Sequence, residues 1–172
     1  MNDLKHALEE SHKDLKQWFI MHQECLLLSE DNYAKDAFNG FSALLILHIQ
    51  FENDWLLNHD CFHSNDKHSL RWSLKVYHKE HEKLLSMLKK LSNMLDSYYP
   101  LNGRIKRLAL LEILDFQSSF LHVMEHHEER EEQDLFENLP DDKPLLQYWL
   151  DCETQFLPHH QSKKQLKTFL AG

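Results

Sequence analysis

The stretch FSALLILHIQFENDW, residues 41–55, decides the fold. Its apolar residues recur at steps of three and four, which predicts an α-helix with one apolar face. His48 and Glu52 are one turn apart on that helix, so their side chains lie on the same face. That face is the apolar one, and it consists of Phe41, Leu44, Leu45, His48, Glu52 and Trp55.

The stretch ILDFQSSFLHVMEHHEEREEQDL, residues 113–135, repeats this pattern with His127 and Glu131. Its apolar face consists of Ile113, Phe116, Phe120, His127, Glu131 and Leu135. A carboxylate that points into a protein core is destabilising unless a positive charge compensates it. A metal ion is the simplest compensation, so the two pairs predict a buried metal site.

The composition argues against several classes of protein. With 172 residues, 42% of them hydrophobic, the chain can form one domain with a real core. The formal charge is −9 and no cluster of Lys and Arg is interleaved with aromatics, which argues against binding to nucleic acid or to anionic membranes. Three cysteines without a Cys-x-x-Cys pair argue against a disulfide framework.

The chain also lacks the signals of a membrane or secreted protein. No apolar run approaches the roughly 18 residues that span a bilayer, and residues 1–6 do not begin a signal peptide. We therefore expect a cytoplasmic protein. Because only three Gly and four Pro occur and no β-branched alternation is sustained, we expect an all-α fold.

Four long amphipathic helices and two short ones are predicted. The long ones cover about residues 3–28, 33 or 41 to 58, 74–95 and 104–138, and Gly40 leaves the start of the second open. We expect an up-down-up-down four-helix bundle over residues 1–140. The short helices, 145–155 and 159–170, are separated by Pro158. We expect this extension, residues 141–172, to cap the bundle or to pack on the second subunit of a homodimer.

The first and third helices each place a single histidine on the apolar face, His12 and His81. Four histidines and two carboxylates inside a bundle can hold two divalent ions, because imidazole suits iron and zinc and a carboxylate can bridge two metals. One zinc ion needs only about four ligands, so this set favours a dinuclear centre.

Single His, His-x-x-x-Glu, single His, His-x-x-x-Glu on four successive helices resembles the hemerythrin-like (HHE cation-binding) family. The resemblance covers about residues 8–140, and its most specific part is HEEREEQDLF, residues 127–136, which is similar to the family's His-x-x-x-Glu-Glu-x-x-Leu-Phe. HEKLL, residues 81–85, also matches. The resemblance implies two iron ions, with zinc or manganese as substitutes. It assigns His12 and His48 to one ion, His81 and His127 to the other, and Glu52 and Glu131 as bridges.

Several histidines compete with these assignments. His22 lies on the same stripe as His12, about 15 Å away along the helix, so the two cannot serve one site. His78 competes with His81, and His122 and His126 compete with His127. Four residues of the loop 59–67 and just beyond it offer either a surface metal site or an ordinary polar loop: His59, Cys61, His63 and His68.

A ferritin-like diiron bundle is the nearest alternative architecture, but only Glu9-x-x-His12 fits its Glu-x-x-His motif. Oxygen-carrying hemerythrins have a further histidine one turn before the third-helix ligand and often an Asp as the last bridge, where this chain has Tyr77 and Glu131. This difference implies a more open iron, or an iron with the phenol of Tyr77 nearby as a weak ligand or hydrogen-bond donor. The alternative role for Tyr77 is core packing.

The sequence therefore predicts a non-haem diiron protein that binds oxygen, nitric oxide or peroxide in sensing, scavenging or stress protection. Whether it turns over a substrate stays open. An iron-handling module without turnover would use the same ligands. A helical interaction protein without metal, which binds a partner through its C-terminal segments, is the alternative from another class.

Overall fold

The computed structural model describes residues 3–62, 70–140 and 142–171, and within these ranges all regular structure is helical. The prediction of an all-α chain is therefore confirmed for the described residues. The described ranges contain six α-helices: α1 (Asp3–Leu27), α2 (Asp31–Phe51), α3 (Leu74–Tyr98), α4 (Gly103–Arg130), α5 (Lys143–Gln155) and α6 (Leu157–Leu170). None of them combines the length and the apolar character that crossing a membrane requires.

Two of the predicted helices change their hydrogen-bonding pattern before they end. A π-helix, Glu52–Leu56, continues α2, and a second π-helix, Glu131–Leu135, continues α4. In the first, the amide of Leu57 donates to the carbonyl of Glu52 over 2.8 Å, a step of five residues rather than four. The chain then passes into 3₁₀ turns at Asp60–Phe62 and Phe136–Asn138.

The first π-helix shifts the register of the apolar face. Trp55 was predicted on that face, but its side chain is 46% exposed, and Leu56 is buried instead. The reason is that a π turn adds about one residue to the turn, so the inward-facing position moves one place along the chain. The prediction for Trp55 is therefore wrong.

Gly40 lies inside α2 rather than at its start. A Cβ atom at this position would be 2.6 Å from the ring of Trp18 on α1, so only glycine allows the two helices to approach this closely. The helix begins at Asp31 and passes through Gly40 without interruption. The close approach explains why a residue with poor helix propensity occurs mid-helix.

The helices form a bundle in which α1 packs along α2 and α3 along α4, with further contacts of α1 with α4 and of α2 with α3. The C-terminal helices contact it: α5 contacts α1, and α6 contacts both α1 and α2. Lys163 of α6 is buried against Trp18 and donates to Asp14 over 2.6 Å. Pro158 lies in the first turn of α6, where proline is tolerated, so it does not separate the two helices as predicted. The division of the chain at residue 140 stays a prediction.

Candidate metal centre

The structure brings all six predicted ligands together in the interior of the bundle. Each of the first four helices contributes one histidine, and each π-helix contributes its first residue, a glutamate. All six side chains are buried: His12, His48, Glu52, His81, His127 and Glu131. The i,i+4 spacing within α2 and α4 aims each histidine and its glutamate at the same point, as expected from helix geometry.

The carboxylate of Glu131 lies between two pairs of histidines. Its Oε2 is 3.3 Å from Nε2 of His12 and 3.9 Å from Nε2 of His48. Its Oε1 is 2.8 Å from Nε2 of His127 and 3.4 Å from Nε2 of His81. One carboxylate thus faces both pairs, one oxygen to each.

Glu52 divides its oxygen atoms in the same way. Its Oε1 is 3.2 Å from Nε2 of His48, and its Oε2 is 3.1 Å from Nε2 of His81. Two sets of ligand atoms result, in each of which all atoms lie within 4.8 Å of one another. One set is Glu52, His81, His127 and Glu131, and the other is His12, His48 and Glu131.

Each of the four histidines forms a hydrogen bond through Nδ1, while its Nε2 faces the cluster. The partners are Glu132 for His12 (2.9 Å), Ser11 for His48 (3.1 Å), Asn53 for His81 (2.8 Å) and Glu80 for His127 (3.1 Å). Carboxylate and amide oxygens accept, so Nδ1 carries the proton in at least three of the four rings. Such outer hydrogen bonds fix the tautomer and the orientation of metal-binding histidines.

This arrangement leaves the Nε2 atoms of each histidine pair facing one another, so a proton or a metal cation must lie between them. The Nε2 atoms of His12 and His48 are 3.2 Å apart, and those of His81 and His127 are 3.1 Å apart. Glu52 Oε1, Glu52 Oε2 and Glu131 Oε2 are buried and have no hydrogen-bond partner among the described residues. Buried polar atoms without partners are costly, and cations placed between these groups would satisfy them. The donor set therefore fits metal ions.

The charges of the cluster favour cations as well. Burial alone would raise the pKa of Glu131, but His127 and His12 hold that pKa well below its usual range. Burial and Glu131 oppose the ionisation of Glu52, yet the contacts with His48 keep its pKa lowered too. Against the effect of burial, the neighbouring carboxylates of Glu131 and Glu132 raise the pKa of His12 to about 10. Both glutamates therefore stay ionised in the core, and protons or metal cations must balance them.

The histidines that competed with His12 and His127 in the sequence lie outside the cluster. Nδ1 of the buried His22 donates to the carbonyl of Ala34 over 2.9 Å. His126 is exposed and pairs with Glu129. His122 is also exposed, and its ring contacts that of His126 on the surface. None of these three belongs to either set of ligand atoms.

His78 lies next to the cluster rather than in it. Its Nδ1 shares the side-chain oxygen of Asn53 with Nδ1 of His81, at 2.9 and 2.8 Å. In the polar loop, His59 pairs with Asp142 over 2.9 Å, and its Nδ1 accepts from the backbone amide of Cys61 over 3.2 Å. His63 and His68 lie outside the described residues, so the surface metal site in this loop stays an expectation.

The hydroxyl group of Tyr77 donates to Asp134 over 2.8 Å. Asp134 also accepts from the backbone amides of Arg71 and Trp72, at 2.7 and 3.1 Å. Tyr77 thus helps to tie the chain before α3 to the second π-helix. Its hydrogen bond is directed at this carboxylate, and an effect on a bound ligand stays a prediction.

Sequence reasoning missed the four outer partners of the histidines. Each is a polar residue directly beside a predicted ligand in the sequence: Ser11, Asn53, Glu80 and Glu132. That adjacency is the signal that could have found them.

Comparisons with protein-family models, with curated proteins and with solved structures found no match. The structure thus supports a buried His/Glu cluster that can hold metal, without naming the metal or a family.

Proposed function

We propose that this chain is a hemerythrin-like, non-haem diiron protein built on an up-down-up-down four-helix bundle. One observation carries the proposal: Glu52 and Glu131 each direct one oxygen to one histidine pair and the other oxygen to the second pair. A carboxylate in that position bridges two metal ions, whereas a single tetrahedral zinc site would need neither carboxylate to be shared. A cytoplasmic location is part of the same proposal.

Iron bound there would supply the reversible binding or the reduction of a small ligand, namely oxygen, nitric oxide or peroxide. The chain's own residues would hold the imidazoles in place and exclude water. The ring of Phe136 stacks on His12 with centroids 5.3 Å apart, and Trp149 lies edge-on to His48 at 5.7 Å. Apolar walls of this kind limit solvent access and tune the properties of a metal site.

Metal analysis of anaerobically purified protein tests the proposal. We expect two irons per chain, and a loss of metal in Glu52→Ala and Glu131→Ala. His126→Ala is the surface control and His22→Asn the buried control, and both should keep their metal. Two irons retained in the Glu52→Ala, Glu131→Ala double variant would refute the ligand assignment.

A spectroscopic step distinguishes ligand binding from simple iron handling. The iron-loaded protein should change its ultraviolet-visible spectrum when oxygen, nitric oxide or peroxide is added. A loaded protein whose spectrum does not respond to any of the three would favour the iron-handling alternative, because that role requires the same ligands but no open position.

A further inference from the structure

A chain of aromatic side chains leads from one of the metal-site histidines to the surface. The buried Trp149 of α5 meets the ring of His48 edge-on, with centroids 5.7 Å apart. Its sequence neighbour Tyr148 is 4.0 Å from Trp55, which is 46% exposed. Phe51 lies between Trp149 and Tyr148, since the centroid of its ring is 5.0 Å from that of Trp149 and 6.2 Å from that of Tyr148.

The residue types along this chain differ from those around the other histidines. Tryptophan and tyrosine give up an electron much more readily than phenylalanine, and the ring packed on His12 is Phe136. Among the described residues, Trp149 is the one Trp or Tyr in ring contact with a predicted metal ligand. The series of oxidisable rings therefore begins at a single point of the centre and ends at solvent.

We propose that Trp149, Tyr148 and Trp55 form an electron relay between the metal centre and the surface, an inference that rests on the diiron function proposed above. The oxidant is a peroxide, which accepts two electrons and two protons from the loaded site, breaks its O–O bond and leaves as two molecules of water. Trp149 then passes one electron inward and is refilled through Tyr148 from Trp55. Trp55 releases its indole proton to water and is left as a neutral radical at the surface.

After this first passage Trp149 and Tyr148 are back in their reduced forms, Trp55 has lost an electron and a proton, and the site has recovered one of the two electrons that the peroxide took. A thiol in solution gives Trp55 one hydrogen atom, and a second passage then returns the second electron and releases the second proton to water. A second thiol restores Trp55 again, so that the two thiols end as one disulfide and the peroxide as two molecules of water. The relay thus moves oxidising equivalents away from His48 to the surface indole of Trp55, where a thiol can reduce them. Because a radical at an exposed indole also reacts with oxygen and water, part of Trp55 should be converted to stable oxidised products.

Peptide mapping by mass spectrometry tests the relay. Iron-loaded protein is treated with hydrogen peroxide without thiol, and samples frozen early are examined by electron paramagnetic resonance for an organic radical. We expect oxidation to concentrate at Trp55. Trp72 is the reference site, because it is also partly exposed but packs between Arg71 and Arg130. Protein stripped of metal by a chelator, given the same peroxide, should show no preference for Trp55.

Three variants separate a relay from packing. Trp149→Phe keeps an aromatic ring beside His48 but should lose the oxidation of Trp55. Tyr148→Phe lies nearer the surface and should show the same loss, so it keeps the test valid if Trp149→Phe does not fold. Trp72→Phe is the matched control and should leave the oxidation of Trp55 unchanged.

The outcomes distinguish failure of the relay from failure of the metal centre. Equal oxidation of Trp55 in wild type, Trp149→Phe and Tyr148→Phe would overturn the relay, since peroxide in solution would then be the direct oxidant. Iron-loaded protein that consumes peroxide and leaves Trp55 intact would also overturn it, while the proposed function would stand. A protein that binds no metal would refute both.

Discussion

Replacing Glu132 with alanine should weaken metal binding without disturbing the fold. Glu132 follows Glu131 in the sequence, and its carboxylate accepts the Nδ1 proton of His12 over 2.9 Å. Its side chain is 45% exposed, so the substitution opens no cavity in the core. Among the described residues of the cluster, only His12 loses a hydrogen-bond partner, so its ring becomes free to rotate and would be a less basic ligand.

The expected size of the effect follows from this geometry. Loss of an outer hydrogen-bond partner typically lowers metal affinity by about 10- to 100-fold. Because water reaches nearly half of the Glu132 side chain and screens its charge, the low end applies, which is about tenfold or roughly 1.4 kcal/mol. Only one of the four histidines is affected, so the ion held by His12 and His48 should be lost first.

Competition between the protein and a chelator for ferrous iron, under anaerobic conditions, measures this change. Glu129→Ala is the matched control, since it removes the same charge from the same helical region, and its partner is the surface residue His126. We expect about tenfold weaker binding in Glu132→Ala and little change in Glu129→Ala. An equal loss of iron affinity in the two variants would mean that the change in overall charge causes it, rather than the lost hydrogen bond to His12. No loss of affinity in either variant would refute the positioning role of Glu132.

Three further predictions concern stability. Gly40→Ala would place a Cβ atom 2.6 Å from the ring of Trp18, and this overpacking should cost about 1–3 kcal/mol in urea unfolding; an unchanged midpoint would contradict it. Burial lowers the pKa of His22 from 6.5 to about 4, so between these values the unfolded chain binds more protons than the folded one. Stability should therefore fall by about 3 kcal/mol as the pH drops through this window, and His22→Asn, which keeps a donor for the carbonyl of Ala34, should flatten the dependence. The same pH dependence in both proteins would exclude His22 as its cause. Removing the metal should lower the free energy of unfolding by about 2.7 kcal/mol, relative to metal at 100 times the dissociation constant, because ligands on four helices hold the bundle together. The melting temperature should fall accordingly, and an unchanged midpoint with the metal shown to be gone would refute this.

The six residues of the site could be predicted because their positions depend on one property, the period of the α-helix. A histidine and a glutamate four residues apart share a face in any α-helix, and the apolar neighbours show that the face is buried. His12 was the harder prediction, because His22 lies on the same stripe and is equally buried. The two histidines differ in which of them lies at the same level along the bundle axis as the other ligands. The sequence pattern of a single helix does not contain this information.

The π-helices and the shift at Trp55 could not be predicted in this way. A π turn differs from an α turn by one residue, and the apolar pattern after Glu52 offers both Trp55 and Leu56 as inward positions. The choice depends on packing between helices rather than on local preference. Gly40 is a similar case, since only the ring of Trp18 on another helix explains it.

The outer hydrogen bonds extend the internal repeat beyond the ligands themselves. The residue before each single histidine, Ser11 or Glu80, holds the histidine of the helix that follows. The residue after each of the two glutamates of the cluster, Asn53 or Glu132, forms a hydrogen bond with a single histidine of another helix.

The two halves use different residue types in this scheme, yet each histidine pair receives one carboxylate partner and one neutral partner. Glu132 and Ser11 hold the pair His12 and His48, and Glu80 and Asn53 hold the other pair. A carboxylate partner makes a histidine a more basic ligand, so in the proposed diiron site this distribution would give the two positions similar donor strength. Since Glu52 and Glu131 face both histidine pairs, an ion in one position would also orient the carboxylates for the other. Loss of the ion at His12 and His48 in Glu132→Ala should therefore also weaken binding at the second position.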